Sequence, residues 1–337
     1  MKLAPFVAAL SLTLSASAFA NDGIGGVDLG NIKLGHTDKV AMAKEVLDIS
    51  PNRVSVDYEF LNETDKDVHE SLVFPLPPYH SDDGYEDGYF GQPPGFRILV
   101  DGQEKPFSTH VVATIEDKDV TAQLRALGLT DRQIALFPGE GNPFDVKTAP
   151  FTPAQMAVLK KKGWMTPDSD NKVSPTWTVS VAYVWYVTFP AGKVLHVHHE
   201  YRPFPTVGIG TVQMTSADLK DRACADDAFL ADWKKVSKPS GDSRYTSGLF
   251  VGYVLETGNT WKDGIRDFTL RLHRPSPAGL ISTCFPFKST APDPLTSEYH
   301  LTNFHPAQDL SIYFGNLPEK LSNPATTRIP PRIGGGE

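Results

Sequence analysis

Apolar and polar positions alternate along Arg53-Val54-Ser55-Val56-Asp57-Tyr58-Glu59-Phe60-Leu61, so that Val54, Val56, Tyr58 and Phe60 share one side and Ser55, Asp57 and Glu59 the other. A period of two marks a strand with one buried and one wet face. Turn residues follow at 62–65, and 68–76 reads as the return strand of a hairpin, closed by Pro75, Pro77 and Pro78. A shorter strand precedes at 44–49, and another at 96–100 ends in the tight-turn pair Asp101-Gly102. The run 176–187 is too aromatic and β-branched for a surface helix; a turn at 190–193 sends the chain back along 194–201. Further strands are expected at 248–257, 267–273, 279–285 and 310–314.

Between these strands the period changes. Val120, Leu124 and Leu127 recur at helical spacing, with Gly128 as the stop. Thr130 and Gln133 open a second short helix. A third is framed by Thr152, Pro153, Gln155 and Gly163, the signature of a capped start and a glycine end. Lys160, Lys161 and Lys162 then lie at the negative end of its dipole and need no anionic ligand. A fourth helix is expected at about 225–236, opened by Asp226 and Asp227. These elements predict a mainly β protein of two sandwich-like antiparallel domains. The first spans 21–203 with a helical insertion at 119–163, the second spans 204–318 with its short helix, and 319–337 reads as a disordered tail.

The first twenty residues stand apart from this pattern. Lys2, an uncharged apolar run over 3–16 and Ala18-Phe19-Ala20 have the form of a secretory signal peptide cleaved after Ala20, which leaves Asn21 at the new terminus. The apolar run is shorter than the roughly 20 residues of a membrane span, and no later one is longer. The expected location is therefore the periplasm or the exterior. The two cysteines, Cys224 and Cys284, are expected to pair as a disulfide in that oxidising compartment. With 32 basic and 40 acidic residues the formal net charge is −8, which disfavours a nucleic-acid partner.

Several phrases resemble an uncharacterised family of secreted bacterial proteins known as a domain of unknown function. They are Asn21-Asp22, the strands around Val54–Phe60 and Val68–Pro77, Phe189-Pro190-Ala191-Gly192-Lys193 with Tyr201-Arg202-Pro203, and Cys224-Ala225-Asp226-Asp227-Ala228-Phe229. Tyr253-Val254-Leu255-Glu256-Thr257-Gly258 with Trp261 and Ile265, and Phe304-His305-Pro306 with Asp309-Leu310, complete the set. The resemblance implies export and carries no activity or functional residue with it. The first domain alone is similar, through Tyr58-Glu59-Phe60 and Leu72-Val73-Phe74-Pro75-Leu76-Pro77, to the vault/inter-alpha-trypsin type of β domain, whose members resemble interaction modules.

Candidate chemistry is sparse. The opening Asn21-Asp22-Gly23-Ile24-Gly25-Gly26 lacks the dinucleotide fingerprint and reads as a flexible or edge-pairing start. Four acids within 82–87 do not follow the calcium-loop spacing and read as a solvated loop. There is no Gly-x-Ser-x-Gly elbow. Trp177, Trp185, Tyr253 and Trp261 could form a carbohydrate platform, but on strands such residues are usually core. The sharpest constellation is His196-Val197-His198-His199-Glu200. On a strand His196, His198 and Glu200 share one face, a donor set suited to zinc or copper, whereas Leu195, Val197, His199 and Tyr201 share the other. With no identifiable further ligand, the same face also reads as the polar side of a solvent-facing strand. The expected function is a periplasmic, non-enzymatic binding or envelope-associated protein without a cofactor, its partner an envelope protein or a small ligand. The alternative is a metal-binding protein or metal-dependent enzyme built on His196 and His198.

Overall fold

A computed structural model describes residues 22–28, 31–76, 78–80, 96–135, 149–167, 173–203, 205–318 and 321. The leader and its cleavage site, the acidic run at 82–87 and the tail beyond residue 321 lie outside the described residues.

The alternating segment at 53–61 forms the strand Arg53–Asn62, and Val54, Val56, Tyr58 and Phe60 are buried as the pattern requires. It lies within an eight-stranded sheet of order Thr290–Asp293, Thr296–Phe304, Lys262–His273, Val40–Ser50, Arg53–Asn62, Val194–Tyr201, Arg97–Val100, Gln103–Glu104. Neighbours are antiparallel except Val40–Ser50 and Lys262–His273, which run parallel. A register shift between Met42 and Lys44 turns the inward set from Val40 and Met42 to Glu45, Leu47 and Ile49. One extra residue of this kind flips every following side chain to the other face, and so a carboxylate, Glu45, enters the core.

The other sheets pack their apolar sides into the same core. A seven-stranded sheet runs Lys118–Asp119, Ser108–Ile115, Thr178–Phe189, Val68–Pro75, Gly23–Asp28, Asn31–Leu34, with Tyr79–His80 also paired to Thr178–Phe189. A five-stranded sheet contains Pro205–Met214, Ser243–Tyr253, Leu310–Gly315 and Leu280–Thr283, with Lys238–Ser240 on Ser243–Tyr253. A two-stranded ribbon joins Met165–Pro167 and Val173–Pro175. Phe60, Phe189, Tyr253 and Trp261 belong to one buried cluster fed by all three larger sheets. Phe60 lies 4.2 Å from Trp261 and 5.8 Å from Phe189 between ring centroids, contacts worth about 0.5–1.5 kcal/mol each beyond their buried area. Trp177, Trp185, Tyr253 and Trp261 are all core, which removes the carbohydrate platform.

Two features differ from the sequence pattern. Segments 53–61 and 68–76 are not a hairpin: Arg53–Asn62 pairs within the eight-stranded sheet, whereas Val68–Pro75 pairs with Thr178–Phe189 in the seven-stranded one. The turn residues instead build a corner between sheets. The buried Asn62 amide donates to the carbonyls of Lys66 and Phe189, and its carbonyl oxygen accepts from Thr64. The turn at 190–193 crosses between the same two sheets beside it, held by Ala191 N–H on Asp67 and Asn62 N–H on the Lys193 carbonyl. The expected division at residue 204 also fails to separate the sheets, because Lys262–His273 joins Val40–Ser50 over a long parallel register.

The three helices expected within 119–163 are present among the described residues. Thr121–Ala126, Asp131–Ala135 and Pro153–Lys161 are helices, the last with the full Thr152–Gln155 capping box. Trp177 Nε1 donates to the Ile134 carbonyl and ties the insertion to the core. Near the five-stranded sheet a second helix accompanies the expected one. Ser216–Ala223, capped by Thr215 and Asp218, precedes Asp227–Val236, capped by Asp226. Cys224 ends the first of these with φ 52° and is disulfide-bonded to Cys284.

Candidate functional site

The strand Val194–Tyr201 alternates between exposed or half-buried and buried positions, so His196, His198 and Glu200 face outward and Leu195, Val197, His199 and Tyr201 face the core. Its three histidines and one glutamate therefore belong to two separate environments.

On the outer face, register places His196 beside Glu59 and His198 beside Asp57, with Lys44 on the far side of Glu59. The Asp101-Gly102 turn, with Asp101 at φ 48° and Gly102 at φ 75°, is docked on this row: Asp101 N–H donates to the His196 carbonyl and Asp101 Oδ1 accepts from His196 N–H. The result is an open cleft of about 370 Å³, whose lining includes Lys44, Asp57, Glu59, Leu99, His196 and His198. Within it His198 Nδ1 lies 2.7 Å from Asp57 Oδ1. That hydrogen bond, with smaller help from nearby positive charge, holds the Asp57 carboxyl below its usual range. A proton on Nδ1 leaves Nε2 as the free ring nitrogen. Glu200 takes no part in the cleft. It is engaged by Arg53 at 3.2 Å and by Arg97 at 3.3 Å. Arg97 also meets Glu104, and further across the sheet Arg271 bridges Asp48 and Glu298, so the outer face is a ladder of alternating charge. His300 pairs with Asp267 on the same sheet. Among the described residues no group of three or more histidines, cysteines or carboxylates is arranged to hold a metal ion.

On the inner face, His199 has no exposed surface. Its Nε2 lies 2.7 Å from Oδ2 of Asp22, which is equally buried. The ring is enclosed by Trp185 at 5.1 Å, Phe74 at 5.5 Å, and Tyr58 and Phe96 at 5.7 Å between centroids. Burial pushes the Asp22 carboxyl upward and His199 opposes that rise. The backbone of Asp22 is held as well: its N–H donates to Tyr58 Oη at 3.4 Å, and its carbonyl accepts from Trp261 Nε1 at 2.7 Å. Tyr58 Oη in turn meets Tyr253 Oη at 3.2 Å. Both hydroxyls titrate well above the ordinary tyrosine value because burial disfavours the phenolate, so they stay protonated donors and acceptors. This buried polar centre is absent from the candidates read in sequence. The inward position of His199 was visible in the alternation, but its partner stands 177 residues away.

A family model described as Domain of unknown function (DUF4424) matches residues 20–313. No curated protein matches the chain. Among solved structures, a Legionella pneumophila protein described as a "putative nutrient binding protein" is similar at 14% sequence identity with a TM-score of 0.42, over 88% of this chain and 71% of that one.

Proposed function

Since the chain belongs to the family described as Domain of unknown function (DUF4424), which assigns no activity, we propose from its own residues that it is an exported, non-enzymatic binding protein that takes a small polar ligand in the cleft over His196 and His198. The observation that carries this reading is the cleft itself. It offers an ammonium from Lys44, carboxylates from Asp57 and Glu59 and imidazoles from His196 and His198 on the rigid surface of paired strands. A small concave site with a few convergent polar groups of both signs suits a small molecule with charged ends. Export is supported by the leader pattern at 1–20 and by the Cys224–Cys284 disulfide, a bond favoured in oxidising compartments. Among the described residues no helix is long and apolar enough to cross a membrane.

Thermal shift against a panel of amino acids, dipeptides and small dicarboxylates tests the reading. A ligand present at a hundred times its Kd adds about 2.7 kcal/mol of stability. Lys44→Ala and His198→Ala should abolish the shift produced by the best panel member. A shift that survives both substitutions would place the ligand elsewhere.

The His198–Asp57 hydrogen bond gives a second reading specific support, since a carboxylate on one ring nitrogen commonly orients the other toward a metal. Zinc that persists through dialysis and disappears in a His196→Ala, His198→Ala double variant would favour it over the small-ligand reading.

A further inference from the structure

Most charged side chains on the outer face of the eight-stranded sheet are paired: Glu200 with Arg97, Glu298 with Arg271, Asp57 with His198. One row breaks the pattern. Register aligns Lys44, Glu59 and His196 on three neighbouring strands, each half-buried or exposed. None of these three side chains has a hydrogen-bond or ion-pair partner among the described residues. Opposite charges on adjacent strands attract across a ladder, yet Lys44 and Glu59 both line the cleft without meeting. The unpaired charges of this face thus coincide with its concave site.

We propose that this row is the ligand-contacting part of the cleft, and that its ligand is a small aliphatic α-amino acid in zwitterionic form, with the ammonium on Glu59 and the carboxylate on Lys44. The inference rests on the small-ligand reading above and narrows it. Neighbouring strands lie about 4.8 Å apart. The two charges are therefore presented at a spacing that one amino acid bridges, and the flexible lysine stem supplies the reach. A dicarboxylate would set one of its ends against Glu59, and a diamine one of its ends against Lys44; each is a like-charge contact that selects against that ligand. An extended dipeptide adds about 3.3–3.6 Å between its ends and overshoots the pair. His196 borders Glu59 on its other side, where a ring nitrogen serves as a second acceptor for the ammonium. Asp57 and His198 are committed to each other in the next row. The same row carries Val46 and Leu99, the apolar side chains of the outer face that line the cleft, and these take the aliphatic chain.

Titration of the isotope-labelled protein with L-leucine, followed by NMR shifts of the backbone amides, tests the assignment and reads weak binding as well as tight. Two matched probes each lack one charge: L-leucinamide has no carboxylate and N-acetyl-L-leucine has no ammonium. L-Leucine should move the signals of Lys44, Glu59 and His196, and each derivative should bind about tenfold more weakly. Glu59→Gln should weaken L-leucine by about the same factor and leave N-acetyl-L-leucine unchanged, because that probe has no ammonium to lose. Lys44→Gln should likewise weaken L-leucine and leave L-leucinamide unchanged. The derivative series decides the matter even if a variant misfolds. Equal affinity for L-leucine and its derivatives, or tighter binding of L-leucylglycine than of L-leucine, would overturn the inference. A dicarboxylate whose binding is lost in His198→Ala, with no response to L-leucine, defeats the amino-acid assignment and keeps the cleft. Binding that survives both Lys44→Ala and His198→Ala, or no shift on these strands from any compound of the panel, defeats both.

Discussion

His198 and His199 are adjacent, each lies 2.7 Å from an aspartate, and they do opposite things. The pair on the outer face is wet: Asp57 is a half-open carboxylate on a charged sheet surface, and its attraction to His198 is diluted by solvent. The pair on the inner face has no exposed surface, and its Nε2–Oδ2 hydrogen bond replaces only part of what water would have supplied, since Asp22 Oδ1 and His199 Nδ1 have no hydrogen-bond partner among the described residues. The same two kinds of side chain at the same distance therefore make a solvent-screened surface pair on one side of a strand and a fully buried one on the other. Geometry alone does not distinguish them; desolvation does.

The comparison is broken most forcefully from inside. Asp22→Ala should cost about 3–5 kcal/mol, since it leaves His199 buried without its partner, and urea denaturation would read it as a lower midpoint at unchanged slope. A cost below about 1 kcal/mol would mean that burial does not set the two pairs apart. The Cys224–Cys284 bond gives a calibration independent of either face. It closes a separation of 60 residues, and Cys284→Ser should lower stability by about 2–4 kcal/mol while making the protein insensitive to reductant. Tyr58→Phe sharpens the inner side. It removes only the hydroxyl shared by Asp22 N–H and Tyr253, and should cost about 1–2 kcal/mol in the same assay. On the outer face His198→Ala should cost less than about 1 kcal/mol, with the difference shrinking in high salt.

A third carboxylate tests the role of solvent through pH. Asp309 caps the turn at Glu256–Thr260 by accepting from the N–H groups of Leu255 and Glu256, and burial raises it to about 6. The folded protein thus takes up this proton at higher pH than the unfolded chain, whose aspartates titrate near 3.9. Stability from this group is full below about pH 4 and declines as pH rises through about 6. Asp309→Asn should flatten that part of the stability–pH profile.

Much of this was legible in the alternation of single strands. The period at 53–61 and at 194–201 sorted inner from outer residues correctly, including the inward turn of His199. The start at 21–26 read as flexible or edge-pairing, whereas Gly23–Asp28 is an inner strand between Val68–Pro75 and Asn31–Leu34. Pairing between strands was not legible. Asn62 looks like an ordinary turn residue, and only its buried amide, bonded to Lys66 and Phe189, shows that the chain changes sheets there. The helix Ser216–Ala223 carried a signal that went unused, Thr215 followed by Asp218 at capping-box spacing. The Asp22–His199 pair had no local signal at all, since a carboxylate beside glycines looks solvated until a distant strand covers it.

The parallel pairing of Val40–Ser50 with Lys262–His273 bears on how fast and in what order the molecule can assemble. Its strands come from distant parts of the chain, as do Asp22 and Trp261, bonded across 239 residues. Loop-closure entropy must be met before such contacts give anything back, so high contact order slows folding. A ribosome delivers residue 40 long before residue 262, and during that interval the edge of Val40–Ser50 waits without its neighbour. The central sheet becomes complete only when most of the chain has been delivered, which leaves an unfinished strand edge open to mispairing through much of its synthesis.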